Sequence, residues 1–138
     1  ISHMVVEAVR ASRLLSEAGI SSEIIDPVTL TPIDIDTILS SVRRTGNLLV
    51  VDNGWICAGV GSEIVSQVVE QMGGDKSFGV KRMGFAPTPC PTTKPLETLF
   101  YPSGSTIAKE AYALVTGDNN WKPEHAEASE ITEFRGPF

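Results

Sequence analysis

The chain has 138 residues, a formal net charge of −6 and 41% hydrophobic residues, which suits one globular domain with a buried core. The excess of acidic residues argues against nucleic acid or an anionic membrane surface as the main partner. No apolar run approaches the roughly 18 residues of a membrane span, and no signal-peptide pattern opens the sequence.

The first predicted element is a helix over residues 5–18, which Gly19 would cap at its carboxyl end. The face predicted to be buried carries Val5, Ala8, Val9, Ser12, Leu15 and Ala18, and the face predicted to be exposed carries Glu7, Arg10, Arg13 and Glu17. The segment SSEIID (21–26) then predicts a β-strand that ends near Pro27.

A second helix follows the sequence PIDIDTILSSVRRTG, with Asp34 or Asp36 suited to its amino end and Gly46 to its carboxyl end. Its apolar stripe consists of Ile35, Ile38, Leu39 and Val42. The run LLVV (48–51) is continuously apolar, which is typical of a strand buried on both faces in a parallel sheet.

The remaining elements are a third helix, a strand over 78–83 and a final helix over 103–115. The third helix would bury Ile64, Val65, Val68, Val69 and Met72, and the last would bury Ile107, Ala111, Tyr112 and either Leu114 or Val115. Strands that alternate with helices predict an α/β layered domain with right-handed crossovers. Three strands are few for a sheet covered on both faces, so we expect a further strand before Val5.

The composition changes near the end of the last predicted helix. We predict a domain over residues 1–116 and an acidic C-terminal extension over 117–138, which contains Trp121, Phe134 and Phe138. This extension is either an arm that packs on a neighbour or a disordered tail.

The stretch NGWICAGVGSEI (53–64) has the strand, glycine-rich turn and helix order of many phosphate sites. A Walker loop would need lysine where Val60 stands, and a dinucleotide fingerprint would need glycine where Ile64 stands. A small-anion binding module that uses the Gly59–Gly61 helix start remains an alternative, and protection by sulfate or phosphate against thermal unfolding would distinguish it. We interpret the glycines as turn residues that permit a positive φ.

Cysteine and histidine residues give no metal-site pattern. Cys57 and Cys90 lie far apart without C-x-x-C spacing, and His3 and His125 lie near opposite ends. The sequence therefore predicts no zinc site and favours two reduced cysteines, with a disulfide left open.

The segment GISSEIIDPVTLTPIDIDTILSSVRRTGNLLVVDNGW, followed by GVGSEI, resembles the C-terminal, transketolase-like domain of the beta subunit of thiamine-dependent 2-oxo acid dehydrogenases, pyruvate dehydrogenase type. The similarity extends from about Val5 to Val115, and FYPS (100–103) belongs to it. Ile56 stands where the family usually has proline. The resemblance implies a three-layer α/β/α fold with a mixed, mostly parallel five-stranded sheet, whose first strand would precede Val5.

The resemblance also implies a function for the whole enzyme. Members decarboxylate a 2-oxo acid on thiamine diphosphate with magnesium and pass the acyl group to a lipoyl arm. The cofactor is bound by other domains, so we expect no catalytic, cofactor-binding or metal residues in this chain, which would be inactive alone. TGDNN (116–120) lacks the second glycine of the family's diphosphate motif, and we interpret it as a helix stop.

The expected role of this domain is contact with the alpha subunit, a second beta subunit and the dihydrolipoyl acyltransferase core. We assign that contact surface to Trp55, Ile56, Gly59 and Gly61, because Trp55 follows a buried strand and a tryptophan there suits an interface anchor; a core position is the alternative for it. The enzyme would be cytoplasmic in a bacterium and in the mitochondrial matrix in a eukaryote. Another thiamine enzyme, such as a transketolase or a deoxyxylulose phosphate synthase, is the alternative family.

Overall fold

The computed structural model describes residues 1, 3–74 and 77–124. It contains five helices and two strands in these residues, in the order α1 (Met4–Glu17), α2 (Ile35–Thr45), β1 (Asn47–Trp55), α3 (Val60–Met72), β2 (Gly79–Phe85), α4 (Lys94–Phe100) and α5 (Gly104–Thr116). Helices α1 and α5 cover one face of the β1–β2 sheet, and α2 and α3 cover the other. The predicted three-layer α/β/α architecture is therefore confirmed.

Strands β1 and β2 are parallel, as the continuous apolar run over residues 48–51 predicted. Asn47 pairs with Gly79 and Val51 with Met83, but Trp55 pairs with Phe85, so four residues of β1 span the distance of two residues of β2. This irregularity lies where β1 leaves the core, and it places Trp55 directly opposite Phe85.

The α2–α3 face of the sheet follows the sequence periodicity closely. Its core consists of Ile38, Leu39, Val42, Val50, Ile64, Val68 and Met72. Helix α2 begins at Asp34, whose carboxylate accepts a hydrogen bond from the Thr37 N–H, and ends at Gly46 in the left-handed conformation. Val69 was predicted to be buried but is half exposed. The apolar residues of α3 cover a wider part of the helix surface than the part that packs against the core.

The α1–α5 face departs from the prediction at Glu7. Its side chain was assigned to the exposed face of α1 but is fully buried, while Val9 is partly exposed. The reason is that α5 packs on α1 at this point, and the Gly104 N–H at the start of α5 donates a hydrogen bond to the Glu7 carboxylate. Arg10 forms an ion pair with Glu7 one turn along α1 at 3.2 Å. A carboxylate at a helix amino end compensates free N–H groups and the positive end of the dipole.

Two further predictions between the helices were wrong or incomplete. Residues 21–26 have no regular secondary structure, so the strand predicted there is absent from the structure. In contrast, the proline-rich segment APTPCPTTKP (86–95), for which no element was predicted, leads into the short helix α4, with Pro95 in its first turn. Proline at that position costs no hydrogen bond, because the first N–H groups of a helix have no partner within it.

The end of α5 confirms that TGDNN is a helix stop. Gly117 adopts the left-handed conformation and its N–H donates to the Ala113 carbonyl. Just beyond it, the Trp121 ring stacks on Tyr112 with ring centroids 4.4 Å apart and packs against the α1–α5 core. The extension therefore begins with an anchored residue, whereas Phe134 and Phe138 lie outside the described residues.

Candidate interaction surface

The candidate surface lies where β1 ends and the chain turns into α3. Trp55 is the last residue of β1, and residues 56–59 form the turn that leads to Val60 at the start of α3. Trp55 is 52% exposed and Ile56 is 39% exposed. The structure thus places both residues at the surface, at the carboxyl end of a parallel strand, where α/β proteins usually present functional loops.

An aromatic cluster supports the Trp55 ring from below. The rings of Phe85 and Phe100 meet Trp55 at centroid distances of 6.1 and 6.5 Å, each in an edge-on arrangement. Phe85 and Phe100 stack on each other at 4.8 Å, and Tyr101 meets both rings edge-on. Because Phe100 is buried, the cluster ties the exposed indole to the body of the domain.

Helix α4, which carries Phe100, exposes two more large apolar side chains. Leu96 is 54% exposed and Leu99 is 77% exposed. We call the exposed side chains of Trp55, Ile56, Leu96 and Leu99 the Trp55 surface, because Phe100 of the same helix contacts the Trp55 ring. Isolated exposed apolar residues are common, but several on adjoining elements are typical of a protein contact site.

The glycines of this loop act differently from the prediction. Gly59 has φ −80°, and the positive φ of the turn belongs to Ala58, at 57°. Glycine is needed at 59 because a Cβ there would overlap the carbonyl oxygen of Trp55. Gly61 is buried, and a Cβ there would lie 3.2 Å from Val50 Cγ1. Both glycines therefore allow close packing under the Trp55 surface, and the buried Gly61 is not part of its exposed area.

Arg82 on β2 braces the loop from the neighbouring strand. Its guanidinium donates to the Ile56 carbonyl oxygen at 2.9 Å and to the Ser62 hydroxyl oxygen. The Ser62 hydroxyl in turn donates to the same Ile56 carbonyl at 3.1 Å. Charge-assisted hydrogen bonds to a loop carbonyl hold the turn in one position, so the Trp55 surface rests on a rigid base.

Near this surface, the titratable side chains of Tyr101 and Cys90 lie within hydrogen-bond distance of each other, at 3.8 Å. The hydrogen bond with the Cys90 thiol raises the pKa of the Tyr101 hydroxyl above its ordinary value. Glu63 accepts a hydrogen bond from the Gln67 side chain one turn along α3. Cys57 and Cys90 are both free and exposed.

The described residues also bear on metal binding and on membrane insertion. No cluster of three or more His, Cys, Asp or Glu side chains among them could hold a metal ion. None of the helices in the same residues is both long and apolar enough to cross a membrane.

The sequence alone pointed to Trp55 and Ile56 but missed the residues that support them. Phe85, Phe100 and Tyr101 are separated from Trp55 by 30 or more positions, and Arg82 reaches the loop from another strand. The aromatic residues around FYPS (100–103) were a visible signal. Their meeting with Trp55 depends on the shifted register of β1 and β2, which no local pattern shows.

Comparison with known proteins places the chain in a family. A family model described as transketolase, C-terminal domain, matches residues 1–107. The beta subunit of acetoin:2,6-dichlorophenolindophenol oxidoreductase from Cupriavidus necator is 38% identical over 114 residues, which are 83% of this chain and 34% of that protein.

Two pyruvate dehydrogenase relatives give similar values. The mitochondrial E1 component subunit beta from Pisum sativum is 38% identical over 110 residues, 80% of this chain and 31% of its own length. The E1 component subunit beta from Staphylococcus epidermidis is 34% identical over 112 residues, 81% of this chain and 34% of its own length. The chain spans about one third of the length of these relatives. It belongs to the transketolase C-terminal domain family.

Proposed function

We propose that this chain is the subunit-contact and assembly domain of the beta subunit of a thiamine diphosphate-dependent 2-oxo acid dehydrogenase. The whole enzyme would decarboxylate the 2-oxo acid and acylate a lipoyl arm. The partners would be an alpha subunit, a second beta subunit and a dihydrolipoyl acyltransferase core. The enzyme would act in the cytoplasm of a bacterium or the mitochondrial matrix of a eukaryote, since the relatives include bacterial and mitochondrial proteins.

The observation that carries this proposal is the Trp55 surface. Its exposed indole is supported by Phe85 and Phe100 and its loop is fixed by Arg82, so little conformational freedom is lost when a partner binds. A rigid, partly exposed tryptophan among aliphatic side chains has the composition of an interface hot spot. Preorganisation of this kind favours association because fewer side chains need to be ordered.

The described residues do not fit the magnesium diphosphate of the cofactor. The glycine and acid of the TGDNN segment follow α5, and the Asp118 carboxylate accepts a hydrogen bond from the Asn120 N–H at 2.8 Å. Magnesium bound to a diphosphate needs carboxylate or carbonyl oxygens in an octahedral arrangement, and the described part of the chain offers no such cluster. We therefore assign thiamine diphosphate and magnesium to other domains of the enzyme.

The first test is whether the isolated chain binds the cofactor. Because the diphosphate motif and an acid–base pair are both lacking in the described residues, calorimetry with thiamine diphosphate and magnesium should give no binding heat at micromolar concentrations. The isolated chain should also fail to decarboxylate pyruvate. Micromolar binding would contradict the assignment of the cofactor to other domains.

For the substrate we propose pyruvate, in agreement with the names of several relatives. The acetoin relative is equally identical to the chain, so acetoin is the second candidate. Comparing the turnover of pyruvate and of acetoin distinguishes the two candidates. The whole enzyme must be used, because the proposal assigns the substrate contacts to other domains.

The second test replaces the anchor of the Trp55 surface. In the beta subunit that carries this domain, Trp55→Ala should weaken association with the other subunits by about 2–4 kcal/mol. Sedimentation over a concentration series measures this, and denaturant unfolding of the dissociated subunit should change little.

A matched control is Val28→Ala, which truncates an apolar side chain that is 88% exposed and lies outside the Trp55 surface. It should leave association unchanged. If Trp55 belonged to the core, its truncation would instead destabilise the fold by about 3–5 kcal/mol with unaltered sedimentation. That result would overturn the proposed role.

A further inference from the structure

Asn53 and Gly54 lie in the part of β1 where the pairing with β2 is irregular. Residues 47–51 of β1 pair one for one with β2, whereas residues 52–54 lie opposite Gly84 alone. Residues in such a bulge are left out of the regular ladder of hydrogen bonds. The backbone at Asn53 is therefore held less tightly than the backbone in the regular part of the strand.

The side chain of Asn53 is exposed, and its amide is not held by a neighbouring group. The Asn47 amide donates a hydrogen bond to the Thr45 carbonyl oxygen at 3.4 Å. The Asn119 amide donates to the Gly117 carbonyl oxygen at 3.5 Å. Among the residues that the structure describes, no hydrogen bond restrains the Asn53 side chain in this way, so it is free to turn towards the backbone of the next residue.

The residue that follows Asn53 is a glycine, and this sets it apart from the other asparagines. A side chain on the following residue crowds the approach of an asparagine amide to the next backbone nitrogen, and glycine has no side chain. The other asparagines of the chain are followed by leucine, asparagine and tryptophan. Asn53 thus combines an exposed amide, an irregular backbone and an unobstructed neighbour.

We propose that Asn53 is a site of spontaneous deamidation, in which the chain modifies itself through a ring formed with Gly54. The Gly54 nitrogen attacks the Asn53 Cγ carbon, the new N–Cγ bond closes a succinimide ring, and the Cγ–Nδ2 bond breaks. The proton that the Gly54 nitrogen loses is taken up by the leaving amide nitrogen, which departs as ammonia. Water then opens the ring at either carbonyl carbon and gives aspartate or isoaspartate at position 53. Water is the only co-reactant, and no atom is oxidised or reduced.

Conversion would change the chain directly beside the Trp55 surface. Either product adds a negative charge next to Asp52, whose Oδ2 atom lies 2.8 Å from the position that a Cβ of Gly54 would take. Isoaspartate also lengthens the backbone just before Trp55. Charged residues are depleted at the centre of protein interfaces, so a second carboxylate here opposes contact with a partner. The chemical step is independent of the proposed function, whereas its effect on partner contact rests on that function.

The test follows each asparagine of the folded 138-residue chain during storage at neutral pH. Mass spectrometry of proteolytic peptides detects the replacement of an amide by a carboxyl group, and the ammonia released is measured in the same samples. Asn119 and Asn120 are internal controls, because both are exposed and neither is followed by glycine.

Two variants complete the test. Gly54→Ala places a side chain on the attacking residue, and Asn53→Gln keeps an amide whose longer side chain closes the ring far less readily. A Cβ at Gly54 would press on the Asp52 carboxylate, so Asn53→Gln decides the question if the alanine variant does not fold.

We expect Asn53 to convert at least about tenfold faster than Asn119 and Asn120, and either variant to remove that difference. Conversion in the folded chain should stay within about tenfold of that in the chain unfolded by urea, because an irregular strand opens locally at little cost. Conversion at Asn53 no faster than at the internal controls would overturn the proposal. Conversion that occurs in the unfolded chain alone would overturn it as well.

Discussion

The two tryptophans of this chain lie in opposite kinds of environment. Trp55 is the last residue of β1 and is held edge-on by Phe85 and Phe100, yet half of its surface is exposed. Trp121 lies in a polar segment after the last helix, yet it stacks on Tyr112 and packs against the α1–α5 core. The sequence predicted a contact role for Trp55, with a core position as the alternative, but did not predict that Trp121 packs on the domain. The exposure of each indole ring depends on whether an adjoining element covers it.

The different environments of Trp55 and Trp121 imply different roles, one in association with a partner and the other in the stability of the fold. We assign Trp55 to association, where its truncation has the largest expected effect on subunit contact, and Trp121 and its neighbours to the stability of the α1–α5 face. Variants on the α1–α5 face should therefore change unfolding and leave subunit assembly unaffected.

The largest expected effect on stability is at Glu7. Replacing Glu7 by alanine leaves Arg10 and the Gly104 N–H without a buried carboxylate, so we expect a loss of about 2–4 kcal/mol in the free energy of unfolding. Denaturant titration measures it. The control, Glu17→Ala, removes an exposed acid from the same helix and should shift the free energy by no more than about 0.5 kcal/mol. Equal effects of the two substitutions would show that the Glu7 contacts do not stabilise the fold.

A smaller effect is expected at Trp121. Its replacement by alanine removes the stacked pair with Tyr112 and part of the covering of the α1–α5 core, at a cost of about 1–2 kcal/mol. A truncation after Asn119 should cost the same, and one after Glu124, which keeps the tryptophan, should leave the unfolding midpoint unchanged. Assembly of the beta subunit should be normal in all three variants. If Trp121→Ala dissociated the subunits instead, the division between the two tryptophans would be wrong.

Local sequence patterns were sufficient to predict those elements whose buried face follows from their own apolar periodicity. Helices α2 and α3 and strands β1 and β2 were predicted because the apolar residues follow the periods of helix and strand. The caps at Asp34, Gly46 and Gly117 followed from residue type. The family and its layered fold could also be predicted, since the most specific segments lie within these elements.

The errors share a different physical cause. Glu7 is buried because the start of α5, 97 positions away in the sequence, packs on it. The amphipathic pattern of α1 contains no information about a helix end so far along the chain. Residues 21–26 have the composition of a strand, but a strand exists only when a neighbour pairs with it. The prediction of the candidate site was incomplete for the same reason, because contacts between distant parts of the chain were missed. Trp55 and Ile56 were identified, while Arg82 and the aromatic cluster depend on the sheet register.

The most direct measurement uses tryptophan fluorescence. The chain contains two tryptophans, so Trp121→Phe, which preserves an aromatic ring against Tyr112, leaves Trp55 as the sole reporter. Acrylamide quenching is measured on this 138-residue chain alone and after the other subunits of the enzyme are added, with sedimentation confirming the complex. If the Trp55 surface is the contact site, quenching should be strong in the free chain and fall at least about twofold in the complex. Equal quenching in the free and bound chain would contradict the assignment of Trp55 to the contact surface.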